Sequence, residues 1–157
     1  MPVLWVIAHH LPMDSLINSA PEAGSLNVFI VEDSSAVRES LHTLLSGIAG
    51  VSVIGFAADE ADAIERINTL QPDFVILDLH LQQGTGLNVL INVKKFHVRM
   101  KVAVLSNYAS ALYVSACRQS GADYFFDKSF QFMLLGQLLA QLVSPEGLNG
   151  KIATLQQ

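Results

Sequence analysis

The chain has 157 residues, 51% of them hydrophobic and 15% charged, with a formal net charge of −5. That describes one ordinary domain with apolar surface enough for a sizeable core, not a disordered chain. The acidic balance excludes a global basic field for nucleic acid, and a single cysteine, Cys117, excludes an intrachain disulfide or a cysteine metal cluster.

Residues 1–25 read as an extension holding Pro2, Pro12 and Pro21, three of the five prolines. Its apolar stretch at 3–8 is far too short to span a bilayer. No Lys or Arg precedes Arg38, so the basic region of a signal peptide is missing and a cytoplasmic, non-membrane protein is expected. Residues 1–12 are either an upstream start ahead of Met13 or a small packing arm, with His9 and His10 on the surface.

From Leu26 the pattern alternates strand and helix. The apolar run 28–31 is a strand. Residues 34–48 place Val37, Leu41, Leu44, Leu45 and Ile48 on one helical face, and Gly50 stops that helix. Residues 51–57 are β-branched and strand-like. Asp59, Glu60 and Asp62 open a helix over 59–70, where acids suit the dipole, and Pro72 ends it.

Strand 73–79 follows, then helix 84–96 with Leu87, Leu90 and Ile91 inward. Strand 101–105, helix 111–120, strand 124–126 and helix 130–143 complete five βα units. Continuous apolar strands imply a parallel sheet covered on both faces. Right-handed crossovers then give a doubly wound α/β sheet of five parallel strands in the order 2-1-3-4-5. Lys94, Lys95, Arg99 and Lys101 read as a solvated helix end and strand entry rather than a nucleic-acid site. Cys117 reads as a small core residue. Residues 144–157 form a tail too short for a second domain.

Four strands end in polar residues: Glu32 and Asp33, Asp78, Ser106, and Lys128. Ligands of an open parallel sheet bind beyond those carboxyl ends. Two carboxylates about 4 Å apart repel by roughly 4 kcal/mol at an effective dielectric near 20, so the cluster needs a proton or a cation. Oxygen-only ligands favour a hard ion such as Mg²⁺. No zinc set is present, because His42, His80 and His97 stand apart.

This ordered set, with Gly86 eight residues past Asp78 and the 121–123 turn before the fifth strand, resembles the receiver domain of two-component response regulators. The resemblance covers residues 26–143 and implies a flavodoxin-like (βα)5 fold of the stand-alone type. It implies that Asp78 accepts a phosphoryl group from a histidine kinase or a histidine phosphotransfer protein. It further implies Mg²⁺ held by Asp33 directly, by Glu32 through water, and by Asp78 and the His80 main-chain carbonyl, with Lys128 offsetting phosphoryl charge and Ser106 bonding a phosphoryl oxygen. Phe125 holds the switch-aromatic position, either as an active switch or as ordinary core. Such a switch needs a differential of about 5.5 kcal/mol to move from 1:99 to 99:1.

The output surface implied is 111–120 with 130–143, meeting a downstream protein target. Apolar residues beyond one stripe of the last helix fit either a homodimer face or deep packing. The sequence departs from the family at Ser129 and Gln82, where many receivers have proline. The stretch 126–129 is similar to regulators with a helix-turn-helix output. His80 and Tyr108, each two residues past a site residue, either shield the phosphoryl from water or merely cover the surface.

No enzymatic activity is expected beyond self-catalysed phosphotransfer and dephosphorylation. The alternative is an aspartyl-nucleophile phosphatase with His80 in place of the usual second Asp. A flavin module ranks last, because the 84–86 loop is a poor phosphate cradle.

Overall fold

A computed structural model describes residues 24–145. The readings for residues 1–23 and 146–157, including the packing arm, His9, His10 and most of the tail, fall outside the described residues. Five strands, β1 (Leu26–Val31), β2 (Val51–Ala57), β3 (Phe74–Leu77), β4 (Lys101–Ser106) and β5 (Tyr124–Asp127), form one parallel sheet in the order β2-β1-β3-β4-β5. The helices are α1 (Ser35–Ser46), α2 (Glu60–Leu70), α3 (Gly86–Phe96), α4 (Ala111–Gln119) and α5 (Phe132–Val143).

Alternation along the strands sends successive side chains to opposite faces. Val28, Ile30, Phe74, Ile76, Ala103 and Leu105 pack on α1 and α5 through Leu41, Leu45, Leu135 and Leu139. Phe29, Val31, Val75, Leu77, Val102 and Val104 pack on α2, α3 and α4. Each wholly buried leucine contributes about 2 kcal/mol of hydrophobic stabilisation. Central β3 is buried along its length, whereas β5 is half-buried, because the strand order leaves it at an edge.

Side-chain caps start four of the helices: Ser34, Asp59, Thr85 and Ser110 each accept a first-turn N–H. Three sequence expectations need correction. The first helix ends at Ser46 with Gly47 as its cap, and Gly50 belongs to the turn into β2, where its carbonyl accepts the Leu26 N–H. Ile91 is exposed; Val89, Leu90 and Val93 form the inward stripe of α3, and Ile91 lies roughly 200° around the axis from Val89. Phe130 precedes α5 and is exposed.

Cys117 is buried, as a core residue should be. Of the four cations near the end of α3, Lys94 and Lys101 are committed to Asp123 at 2.7 and 3.3 Å.

Candidate acidic site at the carboxyl edge of the sheet

Strand order puts β1 and β3 side by side, so the residues leaving them meet. Glu32 and Asp33 follow β1, and Asp78 follows β3, with its N–H donating to the Val31 carbonyl at 2.9 Å. One carboxylate oxygen from each of the three lies within 4.8 Å of the others. Glu32 and Asp78 are buried, and Asp33 is half-buried. They line a surface hollow of about 710 Å³ together with His80, Asn107, Lys128 and the start of α1.

Lys128 reaches in from the end of β5. Its Nζ lies 2.6 Å from Glu32 Oε2 and 3.1 Å from Asp78 Oδ2. The Lys128 N–H donates to the Ser106 carbonyl at 3.0 Å, which ties the β4 and β5 ends together. Every peptide among the described residues is trans, including the one between Lys128 and Ser129. Lysine therefore reaches both carboxylates without the proline found in many receivers.

The remaining hydrogen bonds set each carboxylate's direction. Glu32 Oε1 accepts the Ser34 N–H at 3.1 Å, and Asp78 Oδ1 accepts the His80 N–H at 3.2 Å. Burial pushes the Glu32 carboxyl above its ordinary range. The Lys128 hydrogen bond opposes this, and the charge of Asp78 reinforces it. For Lys128 burial acts downward, but Glu32 and Asp78 outweigh it and hold the ammonium above its ordinary value. Three carboxylates against one ammonium leave a formal charge of −2. A compact set of hard oxygen donors with that deficit fits a Mg²⁺ ion.

The structure thus gathers Glu32, Asp33, Asp78, His80 and Lys128 around one hollow. Ser106 ends the neighbouring strand but does not line it. Its side chain is fully buried, and its hydroxyl accepts the Tyr108 N–H at 3.1 Å. Phe125 is half-buried against the core and borders a small cavity of about 60 Å³ with Val114 and Cys117. His80 and Tyr108 do more than flank the site, since their rings touch with centroids 4.4 Å apart, and Tyr113 joins them at 6.3 and 6.4 Å.

Two neighbours escaped the sequence reading. Arg38 donates to the Glu32 carbonyl at 2.7 Å and lies over the Phe56 ring at 4.7 Å, bracing the acidic pair from behind. Asn107 lines the hollow directly after Ser106. Arg38 stands one helical turn past Ser34, but only the β1–β2 register shows which ring lies beneath it.

A receiver-domain family model, "Response regulator receiver domain", matches residues 28–140. A protein-glutamate methylesterase/protein-glutamine glutaminase of Treponema pallidum is 31% identical over 105 residues, 66% of this chain and 26% of that protein. Response regulator protein VraR of Staphylococcus saprophyticus is 30% identical over 104 residues, 66% of this chain and 50% of that protein. The chain therefore spans between a quarter and a half of the length of these relatives. The fold matches CheY in the CheX-CheY-BeF3-Mg+2 complex from Borrelia burgdorferi, with TM-score 0.68, 26% identity, and 75% of this chain and 88% of that one covered. Sheet order, the strand-end acids and these likenesses agree: the chain belongs to the response regulator receiver domains of two-component systems.

Proposed function

We propose that Asp78 is the carboxylate on which this receiver accepts a phosphoryl group, from a phosphohistidine of a histidine kinase or histidine phosphotransfer protein. The observation that carries this reading is Asp78 itself, a buried carboxylate beyond the central strand. Lys128 and the His80 N–H hold it, and two further acids lie within 4.8 Å. An Asp78 oxygen attacks phosphorus as the P–N bond breaks, and the leaving imidazole takes up a proton.

Glu32, Asp33, Asp78 and the His80 carbonyl would hold Mg²⁺; the Mg+2 named with the similar Borrelia CheY supports that set. When bound, the ion supplies positive charge beside the transferring phosphoryl, where catalysis is largely electrostatic. Lys128, already between Glu32 and Asp78, would offset further charge on the phosphoryl. The Ser106 hydroxyl accepts the Tyr108 N–H through a lone pair, so its own O–H can donate to a phosphoryl oxygen. Ser106 and Phe125 then form the switch.

The downstream surface is α4, β5 and α5, where Leu112, Tyr113, Met133 and Leu134 are exposed. Exposed apolar side chains there suit a protein target or a homodimer. The receiver at 26–143 acts as a cytoplasmic regulator and catalyses its own phosphotransfer and dephosphorylation. No helix among the described residues is long and apolar enough to cross a membrane.

Incubation with Mg²⁺ and a small acyl phosphate, read by intact mass, tests the reading. Wild type gains one phosphoryl group and Asp78→Asn gains none. Equal labelling of both proteins removes Asp78, and steady turnover of phosphomonoesters would instead revive the phosphatase alternative. The contact between His80 and Tyr108 predicts that small residues at both positions speed dephosphorylation; an unchanged rate removes the shielding role.

A further inference from the structure

The segment joining Asp78 to α3 is pinned by one side chain from another helix, Glu60. Its Oε2 accepts the Thr85 N–H at 2.7 Å and the Asn88 side-chain amide at 3.3 Å, and its own N–H donates to the Gln83 carbonyl at 3.1 Å. Thr85 caps α3, so this carboxylate sits where the α3 dipole is positive as well as in the first turn of α2. Thr85 forms an antiparallel bridge with His80, and the His80 N–H bonds to Asp78 Oδ1. A continuous path runs from Glu60 through Thr85 and His80 to the Asp78 carboxylate.

The path has little slack. Gly84 has φ +78°, and a Cβ built there would lie 2.3 Å from Glu60 Cβ, so the loop lies directly on the Glu60 stem. At the far end, a Cβ on Gly86 would lie 2.0 Å from the Asp78 carbonyl oxygen.

We propose that Glu60 is a positioning residue for the cation site: by fixing Thr85 it fixes the His80 main chain as a ligand, and so sets Mg²⁺ affinity. This rests on the receiver reading above, in which the His80 carbonyl is a ligand. Removing Glu60 deletes none of the three carboxylates but frees the one ligand that belongs to the loop. Affinity falls while the phosphorylation rate at saturating Mg²⁺ holds. Outer partners of metal ligands typically change affinity by 10–100-fold; Glu60 acts through a bridge, so a loss of roughly three- to tenfold is expected.

The test is calorimetric titration of Mg²⁺ into the full chain and into Glu60→Ala, Glu60→Gln and Asp33→Asn, with amide hydrogen exchange at His80 and Thr85. Glu60→Ala should weaken Mg²⁺ and speed exchange at both amides. Glu60→Gln, which keeps an acceptor for the Thr85 N–H, should restore most of the affinity. A Glu60→Ala protein that binds Mg²⁺ as wild type does overturns the proposal alone. Wild type that fails to bind Mg²⁺, or Asp33→Asn that binds it normally, overturns the receiver-site assignment and this proposal together. Should Glu60→Ala not fold, Glu60→Asp decides, because its shorter stem draws the carboxylate back from the Thr85 N–H: unchanged affinity contradicts the proposal, and faster Thr85 exchange with a parallel loss of affinity supports it.

Discussion

At the amino ends of β4 and β5 one carboxylate, Asp123, serves two ammonium groups, Lys94 and Lys101, and also accepts the Val102 N–H at 2.9 Å. At the carboxyl edge of the same sheet three carboxylates share a single ammonium, Lys128. The consequences are opposite in sign. Burial of Asp123 acts upward, but Lys94 and the Val102 amide outweigh it and hold the carboxyl below its ordinary range. Burial and crowding leave Glu32 above its own. A charge-satisfied carboxylate joins strands to a helix, whereas a charge-deficient cluster is poised to take up a cation. Proportion rather than residue type separates structural from functional charge here.

The largest effect expected at either end is that of Gly86→Ala. The added Cβ meets the Asp78 carbonyl, backbone that cannot swing aside, so stability should fall by about 3 kcal/mol or more in urea unfolding. A loss under 1 kcal/mol would show the carboxyl edge to be looser than its contacts require. Lys128→Met comes next, because it leaves the acids with no ammonium. The predicted loss is about 2 kcal/mol in Mg²⁺-free buffer, below the fully buried figure since the hollow is open to water. Added Mg²⁺ should recover part of it, and a variant indifferent to Mg²⁺ would undo the charge-deficit argument.

Asp123→Asn should cost less, about 1.5 kcal/mol, through the lost hydrogen bonds to Lys94 and Val102. Its pH signature is more telling. A lowered folded value means that Asp123 stabilises fully above its ordinary value of 3.8 and loses this as the pH falls through the folded value. The variant should therefore resist acid unfolding relative to its own neutral stability.

Glu32 has the reverse sign. With its folded value above 4.5, the stability linked to its proton is complete below that pH and lost as the pH rises through the folded value. Glu32→Gln should remove that slope in Mg²⁺-free denaturation, the smallest of these effects. Matching slopes in the two variants would contradict the contrast between the two ends.

Much of the site was legible because a polar residue closing an apolar run has few places to go in a parallel sheet. Asp78, Glu32, Asp33 and Lys128 could be brought together from strand order alone. Ser106 was placed on the correct strand end, but its burial depends on the Tyr108 amide folding back over it. Glu60 was read only as a helix-opening acid, since its partners lie 25 and 28 residues away and local pattern holds no trace of them. Ile91 shows the matching limit for helices: the sequence marks it as apolar, and only the neighbouring layer decides which stripe is covered.

A crystal structure grown with Mg²⁺ and beryllium fluoride tests the charge-deficient edge most directly. Beryllium should be bonded to an Asp78 oxygen, with Mg²⁺ against Asp33, Asp78 and the His80 carbonyl, and Lys128 and Ser106 turned to the fluorides. Fluoride and metal bound elsewhere, or Asp78 still paired to Lys128 with neither beside it, would contradict the account.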